Sequence, residues 1–175
     1  MIQTDVCPRC VSRISYQSGD ESTLVCKRCG WTKDQEQTDM RAITLRQPWA
    51  SLIAAGYKTI ETRLHNRMGF LKGQHIAIHA GKQWDDYAWA ALRDVHAHPE
   101  AIDMARPHSK KFLPIGAILC TVLVHNTGWL QSVHSSLALI PCWNSKRFGL
   151  FLSELEVLPE PVPCRGRQGA WTWRQ

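Results

Sequence analysis

Between residues 41 and 63 the apolar–polar pattern changes period twice. Ile43 and Leu45 alternate with Thr44 and Arg46, the two-residue repeat of a half-buried strand. Gln47-Pro48 ends that strand, because proline has no backbone donor and a fixed φ, and Pro48 suits the first turn of a helix. Trp49, Leu52 and Ile53 then fall at i, i+3 and i+4 and give the helix an apolar face. Gly56 stands where a helix of this length stops. The strand that follows carries Lys58, Glu61 and Arg63, with Glu61 and Arg63 on the same side. A fold does not need so much charge there, which makes this stretch the first candidate site.

Further along, His75 to His79 alternates as a strand ending at Ala80-Gly81-Lys82. Residues 84–95 predict a helix with Trp84, Ala88, Ala91, Leu92 and Val95 on one face, and with Asp85 and Asp86 favoured at its N-terminus by the helix dipole. Residues 96–111 are polar, contain two prolines and read as a loop. Ile115 to Val124 is the strongest buried strand, residues 126–142 are ambiguous with a short helix at 134–140, Phe148 to Val157 is a strand, and Gly169 to Trp173 closes the chain. Strands that mostly do not alternate with long helices predict an α+β fold, a mixed β-barrel with flanking helices rather than a doubly wound sheet.

The first forty residues have a different character. Cys7 and Cys10 (CPRC) and Cys26 and Cys29 (CKRC) form two CxxC pairs separated by 15 residues, the spacing of a four-cysteine zinc site. Two sulfurs two residues apart chelate one metal from a tight turn, and two such turns complete a tetrahedron. Residues 11–16 and 22–25 read as short strands around Ser18-Gly19-Asp20, so residues 1–31 are expected to be a zinc ribbon, 32–40 a polar linker, and 41–175 the main domain. The zinc is structural, because four thiolates leave no open position. Two disulfides need an oxidising compartment. The N-terminus lacks a charged segment followed by an apolar one, and no run reaches the length of a membrane span. The expected setting is therefore cytoplasmic. Cys120 reads as a small core residue.

Charge adds a partner class. Residues 1–40 hold five Lys/Arg and six Asp/Glu, and the rest of the chain sixteen and nine, so the main domain is net +7; it also carries all eight histidines and seven of the eight tryptophans. Cations for phosphates and flat rings for bases suit a nucleic acid, and equally suit an ordinary soluble surface over an aromatic core.

GYKTIETR, Gly56 to Arg63, matches the GxKxxExR signature of the ASCH family, a branch of the PUA-like barrels. TLRQPWASLI before it, and IAIHAGK, LPIGAILCTV, FGLFL and GRQGAW after it, resemble that family's blocks in the right order across nearly all of 41–173. The resemblance implies a PUA-like barrel whose cleft beside the QPW helix binds RNA or a modified nucleoside, with DNA an open option. The residues suit that chemistry. Lys58 and Arg63 supply donors, Arg63 as a planar fork. Glu61 accepts from a base amino group or holds Arg63, and Trp49 forms a stacking wall or belongs to the core. His79 and Lys82 close a strand that faces the same cleft. Arg165 and Arg167, and Lys146-Arg147, extend a basic rim or are merely solvated.

Catalysis is a second reading. Some ASCH-like proteins are similar to an amidohydrolase that uses the motif lysine as nucleophile with a threonine three residues later; others are reported as metal-dependent ribonucleases. Here Lys58 is followed three residues on by Glu61, and no compact carboxylate cluster suits a two-metal site. Glu61 beside Lys58 keeps the amine charged, which moves the expectation from hydrolase to binder. A protein-interaction adaptor docking through the ribbon is a third reading.

Overall fold

The computed structural model describes residues 15–16, 24–25, 39–142 and 146–174. The chain divides into two units with the boundary between Thr38 and Asp39. In the first, Ser15–Tyr16 (β1) pairs antiparallel with Leu24–Val25 (β2), Ser15 opposite Val25. These pieces fall inside the two strands expected between the CxxC pairs. The four cysteines and most of the expected linker lie outside the described residues.

The second unit holds Met40–Gln47 (β3), Trp49–Ala54 (α1), Ile60–Arg63 (β4), His75–Trp84 (β5), Ala88–Asp94 (α2), Pro99–Met104 (α3), Ala117–Trp129 (β6), Ser135–Ala138 (α4), Phe148–Pro163 (β7) and Ala170–Trp173 (β8). Its six strands form one mixed sheet in the order β4-β7-β6-β5-β3-β8, with only β3 and β5 parallel, curled into a half-barrel with short flanking helices. None of the described helices is long and apolar enough to cross a membrane.

Both faces of the central strands are covered, which is why β5 and β6 read as continuous apolar runs rather than alternations. On one face Ile43, Ile76, Ile78, Val122 and Leu150 form the main core. On the other, Ala42, Ala77 and Ile118 lie under Trp171 and Trp173.

Local chemistry explains the β3–α1–β4 unit. Pro48 stands at the N-cap of α1, one position before the first turn expected for it. Gln47 is almost fully buried. Its Oε1 accepts from Ser51 N at 3.1 Å, and its Nε2 donates to Ser51 Oγ at 2.7 Å and Pro114 O at 2.6 Å. The glutamine thus satisfies an otherwise orphaned helix donor and ties α1 to the chain entering β6. At the other end Gly56 takes φ +78°. Tyr57 N donates to Leu52 O and Gly56 N to Ile53 O, the paired bonds of a Schellman C-cap.

Three expectations change. The helix expected over 84–95 starts only at Ala88, because Trp84 stays in β5 opposite Gln47 and Asp85 occupies the turn, its Oδ1 accepting from Tyr87 N. The segment expected to be a loop at 96–111 contains α3 and a 3-10 turn at Pro107–Lys111. Pro99 is the first residue of α3, where no N–H is needed, and His98 Nδ1 accepts from Glu100 N. β7 runs six residues past Val157, and Pro159, Pro161 and Pro163 leave that exposed edge without donors for a passing strand.

β4 is held to β7 at Gly149, opposite Thr62. A Cβ there would stand 2.5 Å from Leu130 Cδ2 and 3.0 Å from Ile60 Cγ2. Gly149→Ala is expected to destabilise the fold by about 1–3 kcal/mol through overpacking, seen as a lower urea midpoint at unchanged m.

Candidate functional site

A cleft of about 1780 Å³ opens between β3, β4, the end of β5 and the loop joining β7 to β8. Seven Lys/Arg line it against three carboxylates, Glu61, Asp85 and Asp94. The six residues expected from the sequence, Trp49, Lys58, Glu61, Arg63, His79 and Lys82, all lie in its wall. They belong to two contact groups.

The first group begins with the Schellman turn. Lys58 N also donates to Leu52 O, which turns the Lys58 side chain inward. Its ammonium is buried and donates to Ile60 O at 2.8 Å and Ala138 O at 2.6 Å, with Glu61 Oε2 at 3.8 Å. The same Nζ lies 5.2 Å from the centroid of the Trp49 ring. Trp49 is half-buried; its ring packs against three apolar clusters, and its Nε1 donates to Asp85 Oδ2 at 2.8 Å. It is therefore both a core residue and a wall of the cleft. Asp85, expected at a helix N-terminus, is instead the anchor of that indole.

Burial pushes Lys58 down to about 8, opposed first by the Glu61 carboxylate. It stays charged at neutral pH. Two carbonyls take donors of the ammonium at hydrogen-bond distance, and the Glu61 carboxylate stands beside it at ion-pair distance. Glu61 is buried and shared, its Oε1 lying 3.5 Å from Arg63 Nη2. That distance makes an ion pair and no hydrogen bond. Arg63 Nε and Nη2 are buried and have no hydrogen-bond acceptor among the described residues.

The second group surrounds His79. Its Nε2 lies 3.2 Å from Cys164 O; a carbonyl can only accept, so the proton sits on Nε2 and Nδ1 carries a bare lone pair. Nδ1 is buried without a partner among the described residues. Burial pushes the His79 pKa down, the bond to Cys164 O opposing it, and the ring is neutral. The Trp171 ring meets it edge-on at 5.7 Å, and Trp171 Nε1 donates to Thr44 Oγ1 at 3.1 Å. Lys82 is exposed at the end of β5.

Sequence reasoning left Arg147, Arg165 and Arg167 undecided between rim and solvent, and all three line the cleft, as does Arg46. Their signal was charge alone, which looks the same in either place. His96, His98 and His108 are exposed, and Cys120 is a core residue whose thiol burial pushes up to about 12. Among the described residues no three His, Cys, Asp or Glu side chains are grouped to hold a metal.

No family model matches the chain. Among solved structures, the chain is similar to an ASCH protein from Zymomonas mobilis, at 12% identity over 71% of this chain and 73% of that one, with a TM-score of 0.44. Two single-substitution variants of that protein align similarly. One has 14% identity over 73% and 75% of the two chains with a TM-score of 0.43, the other 13% over 71% and 76% with a TM-score of 0.42.

Lys58→Met leaves Ile60 O and Ala138 O without their donor and Glu61 with Arg63 alone, and is expected to cost about 3–5 kcal/mol of stability. The pH dependence has a definite sign. The folded protein holds the Lys58 proton less tightly than the unfolded chain, whose lysine keeps its ordinary 10.5. Raising the pH from about 8 towards that value therefore favours the native wild type. The stability advantage over Lys58→Met should widen across this window in urea titrations. A constant difference would mean that burial does not disfavour the charged amine.

Proposed function

We propose that the protein binds nucleic acid, taking RNA or a modified nucleotide into the Trp49–Lys58–Glu61–Arg63 end of the cleft. The observation that carries this reading is the Arg63 guanidinium, two of whose nitrogens are buried in the wall of a basic cleft with no hydrogen-bond acceptor among the described residues. A buried donor without an acceptor costs free energy, and the Arg63 side chain, 22% exposed, recovers it by turning those nitrogens to a ligand acceptor. A planar fork matches a phosphate or the paired acceptors of a base edge. Beside it, Trp49 offers part of a ring for stacking, and Glu61 accepts from an amino group. The likeness of GYKTIETR and the blocks around it to the ASCH family supports the same reading, as does the net +7 of the main domain.

The hydrolase reading through Lys58 and Glu61 fits the geometry less well, because the amine is occupied as a donor. The adaptor reading depends on the ribbon. There we place one structural zinc on Cys7, Cys10, Cys26 and Cys29, on the strength of their spacing. Elemental analysis is expected to return one zinc per chain, lost or greatly reduced in Cys26→Ser. A metal-free wild type with four free thiols would remove the assignment.

Fluorescence anisotropy with a labelled single-stranded RNA tests the cleft. Arg63→Ala is expected to weaken binding about 10- to 100-fold. Arg63→Lys restores the charge but not the fork, and should recover only part of the loss. A DNA strand of the same sequence shows whether the sugar matters. RNA affinity unchanged in both folded variants overturns the assignment of the cleft.

A further inference from the structure

The two groups that line the cleft differ in charge. The inner one, from Trp49 to Arg63, contains an aromatic wall and two carboxylates, Glu61 and Asp85, close to its cations. The outer one gathers four segments around Gly166. The loop after β7 is fixed by Cys164 N donating to Gly116 O at 2.9 Å and by His79 Nε2 donating to Cys164 O, and Gly116 N donates in turn to Ala80 O at 2.7 Å. Gly166 packs against the Cε1–Nδ1 side of the His79 ring. A Cβ there would overlap the imidazole and stand 2.8 Å from Thr44 Oγ1. The Lys82 stem runs past Gly116, 3.7 Å from where a Cβ would be. Lys82 from the end of β5, Arg165 and Arg167 from either side of Gly166, and Arg46 two residues beyond Thr44 on β3 all line the cleft from these packed segments. All four cations are exposed, and none pairs with a carboxylate among the described residues.

Resting on the function proposed above, we propose that this outer rim is a phosphate site. The ligand is then a nucleotide bearing a phosphate, held with its base at the Trp49–Arg63 end and its phosphate at Arg165, Arg167, Lys82 and Arg46. The division follows from charge. A phosphate dianion or phosphodiester gains from four cations that make no ion pair with a carboxylate among the described residues, and is repelled at the inner end by the ion-paired Glu61. An aromatic ring and a mixed donor–acceptor set suit a base, which is neutral and has both kinds of edge. The neutral His79 beneath the loop donates to the backbone and leaves the phosphate to the flexible cations above it.

Calorimetric titration tests this with the four common ribonucleosides, their 5′-monophosphates, a single-stranded RNA hexamer and inorganic phosphate, on wild type, Arg165→Ala/Arg167→Ala and Arg63→Ala. Both arginines of the double variant are exposed, so its melting temperature should match wild type. In wild type the phosphorylated probe should bind about tenfold or more tighter than the matching nucleoside. The double variant should lose that gain while keeping nucleoside affinity, and the salt dependence of hexamer binding should flatten. Arg63→Ala should weaken nucleoside and nucleotide alike. A gain already present with the monophosphates assigns the rim to a terminal phosphate, and a gain confined to the hexamer assigns it to the backbone of a strand. Nucleosides that bind as tightly as every phosphorylated probe, or a double variant that keeps the phosphate gain, overturn the phosphate site and leave the cleft assignment standing. No binding by any probe overturns both.

Discussion

The inner half of the cleft follows from one buried ammonium. Two of the three Lys58 donors go to Ile60 O on β4 and Ala138 O at the end of α4, and the Glu61 carboxylate stands beyond hydrogen-bond reach as an ion-pair partner. One side chain therefore joins the turn after α1, an edge strand and a helix 80 residues away. Glu61 stands between two cations at ion-pair distance from both, Oε2 towards Lys58 Nζ and Oε1 towards Arg63 Nη2. The guanidinium thus shares one carboxylate with the Lys58 ammonium, and its Nε and Nη2 have no hydrogen-bond acceptor among the described residues, which is the feature the proposed binding reading rests on. Had the carboxylate closed fully on Arg63, the trio would be a plain salt bridge across the mouth of the sheet.

The local part of this was legible in the sequence. A two-residue alternation, a proline, an i, i+3, i+4 apolar face and a glycine at the stop define β3, α1 and the approach to β4 from nearest neighbours alone. The charges at Lys58, Glu61 and Arg63 stood out because a strand does not need them. That Lys58 would be buried was not legible, since its second acceptor is on α4 and no local pattern marks a carbonyl as waiting for an ammonium. Asp85 was misplaced because a turn and a helix N-terminus favour the same residue. Pro99 read as a breaker because proline interrupts a helix and also begins one.

The outer rim was illegible for another reason. Arg165 and Arg167 become part of a site only because a loop is pinned over a histidine by long-range backbone bonds, from Cys164 to Gly116 and from His79 to Cys164. The role of Gly166 has the same origin. Nothing in its φ requires glycine; the requirement comes from the ring beneath it, contributed by a strand far away in sequence.

Glu61 gains a second meaning once both ends of the cleft are compared. At the inner end it holds Lys58 charged and Arg63 in place, so its first role is positional. Its negative charge also counts against any anion that enters there, and the nearby Asp85 adds to it. The four outer cations make no ion pair with a carboxylate among the described residues. On the proposed binding mode, a ligand with one anionic and one neutral, ring-like end would be oriented before any specific hydrogen bond forms, the anion outward and the ring inward. Orientation by charge would then leave Arg63 and Glu61 free to discriminate between rings by their edges. Selectivity of that kind requires a donor fork and an acceptor side by side, already balanced against each other and neither closed on the other, which is the arrangement that the buried Lys58 enforces.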